Sequence, residues 1–592
     1  MSVRQVSVAA GAALLVLIAG PARAEAACTI GRMAELPVTM DQMGPMVDAK
    51  VNGTPVRFMA DSGAFFSMIS PGNALSLHLP NVPAPPGFSI RGINGEAAAS
   101  VVSVKKFSIA GIEIPHTEFV VAGSEVNGIG VIGQNILGIA DVEYDLPHGA
   151  IRLMRSTGCE RSNLAYWAAG NNYSMITIEP RSPQKPHTIG TVVINGKSIR
   201  ATFDTGASTS MMTLAAAARA GIKPDGPGVV SGGFIWGFGR KLVRTWIGPV
   251  QSFAVGDGEQ IQHARIRFGA MDDDTDMLIG ADFFIAHRVY VDNKSHRLFL
   301  TYEGGPVFNL KARYDSPEAK DGAPPTGPAA VAVAPPPADA RSESRDGAVA
   351  MARDDVDTAV GHFSKAIALA PTEPRYLDQR AEAYFRQGKT LLGRADLDRA
   401  IALDPVDLDA LLARAALRLH GRDKTAALAD LDAADRAADA AAMDRLELGG
   451  LLTEAGQPQR AIGVFDQWIK AHPDDVRRPS ALNGRCWARA MAGQELDQAL
   501  HDCDAALRAR PGNAAFLDSR GTVQLRRGEW PKAIADYDAA LAGRPKMAWS
   551  LYGRGLAKLH GGDAAGGKAD VDAAIAIRPH VAEEAAGYGI AP

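Results

Sequence analysis

At 592 residues, with 46% hydrophobic and 22% charged residues, the chain is too long for one core and too apolar to be largely disordered, so three to five domains are expected. Its 62 Lys and Arg against 66 Asp and Glu leave a net charge of −4, without the basic footprint of a nucleic-acid binder. The 13 His show no HExxH or comparable spacing and the four Cys form no CxxC, so neither a metal nor another cofactor is expected.

The N-terminus has the pattern of a secretory signal peptide over residues 1–24. Arg4 precedes an apolar run from Val6 to Ala19, followed by Gly20-Pro21 and the small-x-small triplet Ala22-Arg23-Ala24. The run falls short of the roughly 20 apolar residues that span a bilayer, which favours a cleaved leader over an anchor. Glu25 stands where a lipoprotein signal leading to Cys28 requires an apolar residue. The expectation is an exported protein, bacterial periplasmic or secreted, with no membrane span after cleavage.

From about 35 to 303 the texture is β. Runs such as VVSVKKFSIAGIEI are rich in β-branched residues, and Asn52-Gly53, Asn94-Gly95 and Asn195-Gly196 punctuate them as hairpin turns. A twenty-residue stretch occurs twice: VNGTPVRFMADSGAFFSMIS at Val51–Ser70 and INGKSIRATFDTGASTSMMT at Ile194–Thr213. Laying Asp61 on Asp204 aligns Asn-Gly, Arg, Asp, Gly, Ala, Ser and Met at one offset of 143. The duplication continues: Val131-Ile132-Gly133-Gln134-Asn135-Ile136-Leu137 matches Leu278-Ile279-Gly280-Ala281-Asp282-Phe283-Phe284, and VEYD (142–145) matches VYVD (289–292). Two lobes are expected, over 30–158 and 172–305.

A single Asp-Ser/Thr-Gly is weak, because the triplet arises by chance and an Asp capping its own turn explains it. Here it recurs inside a longer repeat, between apolar strands, with an apolar-apolar-Gly motif 72 residues later in one lobe (Gly133) and 76 later in the other (Gly280). That set resembles the retropepsin-like aspartic proteases. The resemblance implies two all-β half-lobes in a pseudo-two-fold acid protease, with Asp61 and Asp204 as the catalytic pair. It implies that Ser62 and Thr205 tie the two Asp loops together and that Gly63 and Gly206 allow their close approach. It also implies a flap from each lobe over an extended peptide, with Ile93, Asn94 and Gly95 in one and Trp236, Gly237 and Phe238 in the other. Either stretch also reads as an ordinary surface hairpin. Phe65-Phe66 stands where the second lobe has Ser208-Thr209, so the lobes are not equivalent beside the pair.

Between 306 and 345 the composition turns to Pro, Ala, Ser and charge (APPTGPAAVAVAPPPADA), as expected of a semi-stiff linker. Beyond it the texture is helical and periodic. Pro371, Pro405, Pro473, Pro511, Pro545 and Pro579 each follow a small residue by twelve positions (Ala359, Gly393, Ala461, Ala499, Ala533, Gly567). The basic spacing of 34 resembles the tetratricopeptide repeat, implying seven helical hairpins over 346–585 stacked in a superhelix. In that architecture Cys486 and Cys503 face each other within one hairpin, which implies a disulfide. Cys28 and Cys159 bracket the first lobe, and export favours their pairing over free thiols.

The resulting expectation is an exported aspartic endopeptidase that hydrolyses a protein or peptide substrate, with a protein partner or substrate held in the repeat groove. Two alternatives stay open: a non-catalytic exported peptide-binding scaffold, and a second lobe active only as a homodimer.

Overall fold

The computed structural model describes residues 28–41, 43–84, 88–92, 95–122, 129–168, 173–181, 186–235, 243–256, 258–271, 274–308, 339–439, 442–473 and 475–591. The leader 1–24 and the flap residues Ile93, Asn94, Trp236, Gly237 and Phe238 lie outside the described residues.

Two β lobes meet in a shared antiparallel platform. Its order is Ser174–Thr177, Arg297–Tyr302, His287–Asp292, Asp141–Asp145, Ala150–Thr157, Thr29–Asp41, three strands from each lobe. At the seam the duplicated segments pair with each other: Val142 with Val291, Glu143 with Tyr290, Tyr144 with Val289. Burial of Glu143 at this seam is balanced by charge. Its carboxylate accepts from Arg152 at 2.5 Å and from Arg288 of the other lobe at 2.7 Å. A disulfide between Cys28 and Cys159 closes the first lobe where its outermost strands begin and end.

Each lobe grows from an Asn-Gly hairpin. Asn52 and Gly53 have φ of 51° and 92°, and Asn195 and Gly196 have 49° and 73°. Positive φ at both central residues is what a tight two-residue hairpin needs. Alternation then divides the strands by face, as in Ile189–Ile194, whose residues turn in and out of the core. Phe58, Phe107 and Phe119 fill the first core, and Phe203, Phe253, Phe283 and Phe284 the second. Burying such a ring stabilises by roughly 1.5–3 kcal/mol.

The C-terminal part is a superhelix of antiparallel helix pairs. Among the described residues seven pairs run from Ala340–Ala352 with Val356–Leu369 to Ala548–His560 with Ala564–Ile577, followed by Val581–Gly587. The small residues of the periodic pattern sit at the helix contacts, with Ala359, Ala461, Ala499 and Ala533 fully buried. Cys486 and Cys503 form the second disulfide, inside one hairpin. Among the described residues no helix is long and apolar enough to cross a membrane.

Two features escaped the sequence reading. One is an Arg–Asp ladder. Arg380, Arg414, Arg485, Arg520 and Arg554 each grip an Asp of the same hairpin with two nitrogens (Asp396, Asp430, Asp502, Asp536, Asp570). The last four also reach back to the preceding hairpin, through Asp398, Asp466, Asp504 and Asp538. The other is the first helix, which starts at Ala340, capped by Asp339, inside the stretch expected to be linker. Ala348 and Val349 enter the β core, and Arg353 Nε donates to the Ile285 carbonyl at 3.1 Å. The repeats are therefore docked on the lobes as well as tethered to them.

Candidate active site

The strand Thr54–Ala60 delivers Asp61 at its end, and Lys197–Phe203 delivers Asp204 in the same way. The apolar-apolar-Gly motifs supply the parallel neighbours, pairing Ile132 with Ala60 and Ile279 with Phe203. Each Asp amide then donates to the matching carbonyl, Asp61 to Ile132 and Asp204 to Ile279, both at 2.9 Å. Both halves of the duplicated pattern therefore fix the same atom.

Across the pseudo-two-fold axis the loops interlock. The Ser62 amide donates to Thr205 Oγ1 at 3.0 Å, and the Thr205 amide donates to Ser62 Oγ at 2.9 Å. The two hydroxyls donate onward into the opposite strand, Ser62 to the Phe203 carbonyl at 2.9 Å and Thr205 to that of Ala60 at 2.7 Å. Both are fully buried, and all the bonding capacity used here stays between the lobes. Gly63 and Gly206 complete the symmetry. A Cβ at Gly63 would collide with the Asp204 carboxyl, and one at Gly206 with that of Asp61. Only glycine lets the loops approach this closely.

Each carboxyl is held by its own turn. Asp61 Oδ1 accepts from the amides of Gly63 and Ala64, both at 2.9 Å, and Asp204 Oδ1 from those of Gly206 and Ala207 at 2.9 and 3.3 Å. The carboxyls lie within hydrogen-bonding reach of each other. Burial, then the Asp204 charge and the hydrogen bond with it, push Asp61 well above the usual carboxylate range. The pair therefore favours holding one proton between its members over double ionisation. The site residues Asp61, Ser62, Gly63, Asp204, Thr205 and Gly206 thus lie together in one chain.

Behind the pair the lobes differ. In the first, Gln134 Nε2 donates to the Ser62 carbonyl at 2.8 Å, and its Oε1 accepts from Arg181 at 2.6 Å. Arg181 also donates to Asn293 Oδ1 at 2.6 Å, so the second lobe braces the first lobe's Asp loop. Burial pushes the nearby Tyr144 hydroxyl above its ordinary value. The second lobe has Ala281 in place of Gln134. Sequence reading missed this brace; the one visible signal was a polar Gln134 where the second copy of the motif has Ala281.

Ser89–Gly92 pairs with Gly95–Ala98, and Val230–Ile235 pairs with Val243–Pro249, an antiparallel strand pair at each expected flap position in the sequence. The Phe65 and Phe66 rings lie 4.3 Å apart at a 47° tilt, and Phe66 lies 5.9 Å from Phe88, just before the first strand pair. The second lobe offers Ser208 and Thr209 there.

Comparison with known proteins agrees with both halves of this architecture. Residues 47–138 and 190–283 each match the family model described as aspartyl protease. Residues 488–548 and 519–582 match the tetratricopeptide repeat model. Solved structures similar to the helical part include a tetratricopeptide repeat protein from Parabacteroides merdae, 17% identical, covering 42% of this chain and 98% of that one with a TM-score of 0.35. Another is YrrB, a TPR protein with an unusual peptide-binding site, 15% identical, covering 37% and 92% with a TM-score of 0.20. A search of curated proteins finds no match. The chain carries two tandem retropepsin-like aspartyl protease lobes followed by a tetratricopeptide superhelix.

Proposed function

We propose that this protein is an exported aspartic endopeptidase in which Asp61 and Asp204 act as one catalytic dyad, and that its repeat domain recruits substrate or a partner. The observation that carries the reading is the reciprocal Ser62–Thr205 lock, which sets the two carboxyls face to face within one chain. A scaffold that only binds peptides has no need of two opposed carboxyls sharing a proton.

In this reading the ionised carboxyl takes a proton from a water lying between the pair, and the protonated one donates to the peptide carbonyl oxygen. Water oxygen adds to the carbonyl carbon to give a gem-diol. Collapse breaks the C–N bond: the carboxyl that took the water proton delivers it to the leaving nitrogen, while one gem-diol hydroxyl returns its proton to the other, ionised carboxyl, which leaves a carboxylic acid and restores the pair. The strand pairs Ser89–Gly92 with Gly95–Ala98 and Val230–Ile235 with Val243–Pro249 are the flaps that close over an extended substrate in this reading. The leader at 1–24 directs export, and two disulfides suit an oxidising compartment. Helix Ala340–Ala352, packed on the lobes, keeps any peptide held by the repeats near the cleft, which raises its effective concentration.

The test is cleavage of a diverse peptide pool by the chain from Glu25 onward, with Asp61→Asn and Asp204→Asn beside wild type. Loss of cleavage in each single variant supports the mixed dyad. Loss only in Asp204→Asn assigns activity to a second-lobe homodimer, and a folded wild type that cuts nothing supports the scaffold reading.

A further inference from the structure

The residue two places after the motif glycine is Asn135 in the first lobe and Asp282 in the second. Both make the same pair of bonds. Asn135 Oδ1 accepts from the Ser67 amide and hydroxyl, both at 2.8 Å, and Asp282 Oδ1 accepts from the Ser210 amide and hydroxyl at 2.8 and 2.6 Å. Each serine oxygen then accepts from the motif glycine, Gly133 at 3.0 Å and Gly280 at 2.9 Å. Gly280 follows Ile279, whose carbonyl holds the Asp204 amide, so Asp282 stands at the root of the chain that positions Asp204.

The surroundings are opposite. Asn135 is exposed, whereas Asp282 keeps 5% of its surface, and its Oδ2 is buried with no hydrogen-bond partner among the described residues. Among the described residues the charge of Arg267 acts on it, and Arg267 Nη1 donates to the Gly232 carbonyl and Thr245 Oγ1 at 2.6 and 2.7 Å. A neutral amide would make both serine bonds at this position without burying charge. A carboxylate leaves one oxygen charged and unmatched in the protein interior, a cost a protonated acid avoids.

We propose that Asp282 is a positioning residue that holds the Asp204 loop in its protonated form, giving the second lobe an acid requirement that Asn135 spares the first. Its catalytic half rests on the aspartic-protease reading above. Burial, partly offset by the two Ser210 bonds, pushes Asp282 up to about 6. A carboxyl raised in the folded state binds its proton more tightly there than when unfolded. It therefore subtracts stability as pH climbs from the ordinary value of 3.8 toward about 6, and subtracts no more above that.

The test compares wild type with Asp282→Asn, which copies the first lobe, across about pH 4 to 7.5. Urea unfolding should show the variant's advantage growing by about thirtyfold in the unfolding constant between pH 4 and 6 and levelling near sixtyfold by about pH 7.5. A ratio that stays constant with pH overturns the proposal. The amide resonances of Ser210, Gly280 and Asp204 should titrate together near pH 6 in wild type and stay still in Asp282→Asn. Resonances that fail to move in wild type overturn the positioning role even if stability follows the expected curve. On a cleaved peptide the variant-to-wild-type kcat ratio should rise across the same step with KM unchanged, and a flat ratio also overturns positioning. A wild type without activity sinks the protease reading alone, because the unfolding and resonance measurements still decide the role of Asp282.

Discussion

Ser62 and Thr205 each accept a hydrogen bond from the other's amide, at 2.9 and 3.0 Å, and each donates its own proton into the opposite lobe. Thr205→Ala removes an acceptor and a donor and strands the buried Ser62 amide and Ala60 carbonyl. The expected loss is about 1–3 kcal/mol of stability by urea unfolding. Thr205→Ser keeps the hydroxyl and should recover most of it. An alanine variant as stable as wild type would show that the lock contributes nothing.

Replacing either acid should stop the proposed catalysis. Asp61→Asn and Asp204→Asn are each expected to lower kcat/KM by at least about a thousandfold, since a single carboxyl cannot act as base and acid together. The same change should stabilise the fold. Asp61 is raised in the folded state, so its ionisation subtracts stability as pH rises above the ordinary carboxylate value. Asp61→Asn should therefore melt higher than wild type at neutral pH, with the difference vanishing near pH 3. Equal melting at pH 7 would contradict the close carboxyl contact.

Gly206→Ala places a methyl into the Asp61 carboxyl, and Gly63→Ala places one into that of Asp204. The carboxyls must move apart by at least a few tenths of an ångström, so activity should fall by about a hundredfold or more. The repeats lie outside this contact, so their helical circular dichroism at about 25 °C should be unchanged. Full activity in either variant would mean that the two Asp loops are not so closely opposed.

The Arg–Asp ladder predicts a stability effect remote from the cleft. Asp536 is buried, and Arg520 grips it with two nitrogens while reaching Asp504 of the previous hairpin. Arg520→Ala leaves Asp536 uncompensated. Because the Arg520 side chain is 27% exposed, the cost should be about 2–3 kcal/mol, below the 3–5 of fully buried pairs. Helical circular dichroism during denaturation reads the repeats directly. A paired Arg520→Ala/Asp536→Ala variant should regain part of the loss.

Much of this architecture is written locally. The Asn-Gly turns, the strand before each Asp, the apolar-apolar-Gly motif and the 34-residue helical period are short-range patterns, set by backbone conformation and side-chain periodicity. Duplication then made the site legible, since two copies of one Asp loop in one chain imply an axis between them. The pairing of Cys486 with Cys503 could be inferred because both positions belong to one repeating hairpin.

What only the tertiary structure decided depends on residues far apart in sequence. Nothing local links Gln134 to Arg181 and Asn293, yet these side chains brace one Asp loop from the other lobe. Helix Ala340–Ala352 carries no mark of docking until Ala348 and Val349 are seen inside the β core. Asn135 and Asp282 occupy the same place in the repeated motif, and the sequence treats them as a mild substitution. Burial separates them, because the free energy of a carboxyl depends on the dielectric and the donors around it, and those are supplied by the fold.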